Sequence, residues 1–144
     1  MLPTALSAAF GLLFVLIGAA AVWLIFDAST RVRNQTTRDR MLRAHRIAGY
    51  LFIALFCLMT WFMLLRVKES PDELPLRPML HILIAMILAP LLLVKVVIAR
   101  YYKSFTGALV PLGLTIFTLG FVLIASSAGP YLLDYAPGLE ARLR

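Results

Sequence analysis

Polar residues in this chain are gathered into clusters, and four long apolar runs lie between them: about 4–26, 47–65, 79–99 and 108–128. Each is near the roughly 20 residues that a helix rising about 1.5 Å per residue needs to cross a hydrocarbon layer about 30 Å thick. The runs are continuously apolar rather than alternating. Buried backbone in lipid must satisfy its own hydrogen bonds, so a helix is predicted for each run rather than a barrel strand. The pattern therefore predicts an all-α integral membrane four-helix bundle forming a single transmembrane domain over 1–144. Lys95 is the only charge inside a run.

Composition agrees with the pattern. Of the 144 residues, 62% are hydrophobic and 15% charged, and the mean hydropathy is +0.91, outside the range of a water-soluble domain. The lone cysteine, Cys57, excludes an intrachain disulfide, and no zinc or c-type haem spacing occurs. The first run lacks a basic leading segment, and despite the Ala19 to Ala21 tract it is read as a retained span.

Charge sets an expected orientation. The segment from Asp27 to Arg46 holds Arg31, Arg33, Arg38, Arg40, Arg43 and Arg46, and the connection after the third run holds Lys95, Arg100 and Lys103. Positive residues favour the cytoplasm, so both connections are expected there and the N-terminus outside. Less Asp27 and Asp39, that side carries the whole net charge of +7, because acids and bases balance on the other. The pI near 10.2 is then explained by topology and anionic headgroups, and no nucleic-acid partner is expected.

Between the second and third runs, Ser70-Pro71-Asp72-Glu73 has the form of a helix-capping box. Beyond Gly129-Pro130, residues 129–144 read as an interfacial tail. Thr4, Gly11 and Gly18, and likewise Thr106, Gly113, Gly120 and Ser127, recur every seven residues. Such stripes permit close helix approach, or make room for a flat ligand.

Few groups in the membrane can do chemistry: His45, His81 and Lys95, with Met59, Met63, Met79 and Met86 as soft donors. No carboxylate lies within a run, which disfavours proton-coupled transport. Imidazole is the usual axial ligand of b-type haem, and helix bundles hold cofactors between inward side chains. His45 and His81 are accordingly the candidate iron ligands, for one or two haem b groups. Antiparallel connection puts them at opposite ends, however, very roughly 20 Å or more apart in height. One iron cannot take both. Matching heights pairs His45 with the Lys95 to Ala99 stretch and His81 with Met59 to Met63, so mixed sites are His81 with Met59 or Met63, and His45 with Lys95 or another chain. Lys95 has the alternative of snorkelling to the inner surface beside Arg100. Arg43, His45 and Arg46 can also donate to a quinone carbonyl, with Tyr50, Phe52 and Phe56 as groove walls.

His45-Arg46-Ile47-Ala48-Gly49 resembles the His-Arg-x-x-Gly segment opening the first membrane helix of the cytochrome b anchor of succinate dehydrogenase. The resemblance implies a quinone-side helix in a haem-containing redox anchor. That family has three spans where this chain has four. The histidine-bearing four-helix layout is also similar to b-type cytochromes that accept quinol electrons.

The expected function is thus electron transfer between the quinone pool and a partner redox protein, by a subunit of an oxidoreductase complex in an energy-transducing membrane such as the bacterial inner membrane. The alternative is a cofactor-free structural or assembly subunit of a larger membrane complex.

Overall fold

A computed structural model describes residues 4–30, 34–69 and 76–143, with side-chain detail for 8–30, 34–65, 67–68 and 79–126. Four long helices account for nearly all of them: α1 (Thr4–Thr30), α2 (Gln35–Glu69), α3 (Leu76–Tyr101) and α4 (Leu109–Leu143). A 3-10 turn, Lys103–Ala108, joins α3 to α4. All four helices are long and apolar enough to cross a membrane, over Ala8–Thr30, Gln35–Leu65, Met79–Tyr101 and Lys103–Ser126. The protein is an all-α, membrane-integral four-helix bundle whose apolar surface meets lipid.

The helices outrun the apolar stretches. Asp27 does not close α1, which continues to Thr30 and ends with the Ser29 and Thr30 hydroxyls donating to the Phe26 carbonyl at 2.9 and 2.8 Å. These are local hydroxyl bonds back onto a carbonyl of the preceding turn, of the kind serine and threonine make at helix ends. The start of α2 lies twelve residues ahead of Ile47, at Gln35. Asn34 caps it: its Oδ1 accepts from the Thr36 backbone N–H at 3.1 Å and from the Thr36 hydroxyl at 2.8 Å. The chain is also helical through Gly129-Pro130, as part of α4. Ser70 to Glu73 lie outside the described residues, as do Arg31 and Arg33 and the tail's side chains.

The helices do not surround a common axis evenly. α1 packs along α2 and along α4, and α4 along α3, while the backbones of α2 and α3 do not pack extensively among the described residues. The central pair, α1 and α4, carries the glycine stripes. A Cβ on Gly11 would meet Ile124 at 3.1 Å, one on Gly18 would meet Phe117 at 2.9 Å and Phe52 at 3.0 Å, and one on Gly120 would meet Phe14 at 2.9 Å. Over Gly18 and Gly120 the groups lodged are the chain's own phenyl rings, and over Gly11 the Ile124 side chain. Small residues therefore choose which two helices become the centre, because only they allow large side chains to cross between backbones.

Phe14, 1% exposed, and Leu88, fully buried, anchor the core with Phe52, Phe56, Leu92 and Ile116. The rings of Phe14 and Phe52 stack with centroids 4.0 Å apart and planes 26° apart. This core spans all four helices, so α2 and α3 meet through side chains although their backbones do not pack.

Candidate functional site

The polar groups of the interior divide between two ends of the bundle. At the basic end, the Nδ1–H of His45 donates to the carbonyl of Ala21 on α1 at 2.8 Å. A helix carbonyl has a second lone pair beyond the one used along the helix, so this bond costs α1 nothing. A carbonyl accepts only, which places the proton on Nδ1 and leaves the Nε2 lone pair of the neutral ring available. His45 and Ala21, and Phe52 and Phe14, are pairs whose residue numbers add to 66. Antiparallel α1 and α2 thus keep one register from the core to the basic end.

Lys95 on α3 lies within electrostatic range of the His45 ring, as does Arg46 on α2. His45 and Lys95 thus lie toward the same end of the bundle. Lys95 does not sit free in the seam: its Nζ lies over Gly113 of α4, 2.8 Å from where a Cβ would be. Among the described residues it has no hydrogen-bond partner. Slightly further out, the Arg100 guanidinium donates to the Tyr50 hydroxyl at 3.0 Å, which bridges α3 to α2. Arg43, Arg46, Tyr50 and Arg100 are exposed there. Phe52 and Phe56 are not groove walls but core residues, 6% and 8% exposed.

At the opposite end, His81 of α3 shares a partly enclosed recess with Met59, Thr60 and Met63 of α2. Phe14 of α1 and Leu123 of α4 complete its walls. His81, Met59 and Met63 thus lie at one level of the bundle. Neither nitrogen of His81 has a hydrogen-bond partner among the described residues. Met79 and Met86 lie on the outside of α3, 62% and 68% exposed, away from this cluster.

Haem can be tested against this geometry. The donor set of His81 with Met59 or Met63 suits iron. The space does not: the centre of a water-sized sphere has about 20 Å³ in the recess, room for about one water molecule. Phe14, Phe52 and Leu88 fill the adjoining interior. As packed, this recess does not have the volume of a porphyrin. Among the described residues no group of three or more His, Cys, Asp or Glu side chains forms a metal site either.

Sequence reasoning could not find the Ala21 carbonyl, because every residue has one and its use depends on which helix lies opposite. The role of Gly113 was half visible, as a member of a stripe, but not its ammonium neighbour. No family model matches this chain, and no curated protein or solved structure matches it.

Proposed function

We propose that this chain is the quinone-docking membrane subunit of an electron-transfer complex, with the basic end facing the cytoplasm of an energy-transducing membrane. The observation that carries the reading is the His45 ring, held by the Ala21 carbonyl with Nε2 left for a ligand and the Lys95 ammonium nearby. A quinone headgroup needs such a combination. Its oxygens accept hydrogen bonds when oxidised, gain negative charge on reduction and exchange protons as they do so. Lys95 and Arg46 supply positive charge to a reduced oxygen, which is worth most where water is scarce. His45 takes at Nε2 one of the two protons released when a quinol is oxidised, the other passing to water at the exposed basic end, and both return on quinone reduction, its Nδ1–H bond to Ala21 keeping the ring oriented throughout. The electrons pass to or from a redox centre of a partner subunit, and the apolar flank of the seam between α2 and α3 receives the isoprenoid tail.

The test is binding of decylubiquinone to the full chain in lipid nanodiscs. Saturable binding is expected, weakened at least about tenfold by His45→Ala and by Lys95→Met, the equivalent of about 1.4 kcal/mol each. His81→Ala should bind as the parent does. Equal affinity in all four proteins, or no saturable binding, overturns the reading and leaves the scaffold alternative.

A further inference from the structure

The recess around His81 has features that quinone docking at the other end does not use. Two thioethers, Met59 and Met63, stand one helical turn apart on α2, so they project from the same face. The imidazole of His81 enters from α3 without a hydrogen-bond partner of its own. Every other wall is apolar except the Thr60 hydroxyl. The His81 nitrogens are not sealed in the interior, so an ion can reach them, and the available space, about 20 Å³ for a water-sized centre, is that of a single ion or water.

We propose that this recess binds a single monovalent soft metal ion, copper(I), through Met59, Met63 and His81. Thioether and imidazole ligands select copper(I) among physiological metal ions, whereas harder divalent ions prefer carboxylate and carbonyl oxygen. All three donors are neutral, so the bound site keeps one positive charge. The solvation penalty of an ion in an apolar surrounding rises with the square of its charge, which a monovalent ion minimises. The same comparison separates this site from a haem site: the donors are those iron would use, but the packed helices leave the volume of an ion rather than of a macrocycle. The inference is independent of quinone docking, because it uses none of the residues at the basic end.

The experiment is anaerobic titration of the full chain in detergent with copper(I), against a chromophoric copper(I) chelator as competitor. Cys57, an exposed free thiol, is replaced by Ser throughout, so that it cannot supply the binding. One equivalent is expected to bind, with X-ray absorption showing both sulfur and nitrogen neighbours. His81→Ala and the double variant Met59→Leu, Met63→Leu should each lose at least about tenfold in affinity, since even outer partners of metal ligands are worth 10–100-fold. Met79→Leu and His45→Ala should retain parental affinity. Circular dichroism and size-exclusion profiles confirm that each variant remains folded, and Met59→Leu alone serves where the double variant does not. No binding in the Cys57→Ser protein, or undiminished affinity in folded His81→Ala, overturns the proposal. So does a first shell of oxygen or nitrogen alone.

Discussion

Gly113 of α4 lies directly beneath the ammonium of Lys95 of α3, the Nζ standing 2.8 Å from the position a Cβ would occupy. The contact explains how a lysine well inside an apolar helix is accommodated: the missing side chain on α4 is the space its head fills. It also brings Lys95 to the level of His45, so that two of the few polar groups in the bundle share one end.

The two glycine contacts of α4 should differ in cost. At Gly113 the obstacle is the end of a flexible lysine, whereas at Gly120 it is the ring of Phe14, 2.9 Å from the added Cβ and 1% exposed. Gly120→Ala is expected to destabilise the bundle by about 1–3 kcal/mol, the usual cost of overpacking a core, and Gly113→Ala by less. Reversible unfolding in mixed micelles measures both, and an equal or reversed order would contradict the assigned packing.

Phe14 joins the core to the metal recess, because it stacks on Phe52 and walls the space around His81. Phe14→Ala is expected to cost about 3–5 kcal/mol if the cavity does not collapse. The same unfolding assay reads it, and a loss below about 1 kcal/mol would mean that the neighbouring helices close the gap.

The haem expectation has a direct optical check. With no room for a porphyrin among the packed helices, the purified chain is expected to show neither a Soret band nor an α band in its reduced-minus-oxidised spectrum. A Soret band abolished by His81→Ala would show instead that α2 and α3 part to admit the macrocycle.

Orientation is testable from labelling. In a Cys57→Ser background, Lys103→Cys in the exposed turn before α4 should resist a membrane-impermeant maleimide applied to intact cells and react once the membrane is opened. Reaction in intact cells would place the basic end outside and move the proposed quinone site with it.

The amino-acid pattern alone determined that four helices cross a membrane, because apolar runs of spanning length have no other stable backbone arrangement in lipid. It also determined the relative heights of His45, Lys95, His81, Met59 and Met63, since an antiparallel hairpin of regular rise converts residue number into depth. Helix ends were less legible: α1 passes Asp27 and α2 starts at Gln35, behind its Asn34 cap, because capping and hydroxyl bonds act locally, beyond the apolar run. Tertiary structure decided what lies sideways from each residue. That α1 and α4 form the centre, that the Ala21 carbonyl accepts the His45 Nδ1–H and that phenyl rings cover Gly18 and Gly120 all depend on which helix packs beside which. That choice is made by the summed contacts of whole helix faces, and depth along a single helix carries no information about it.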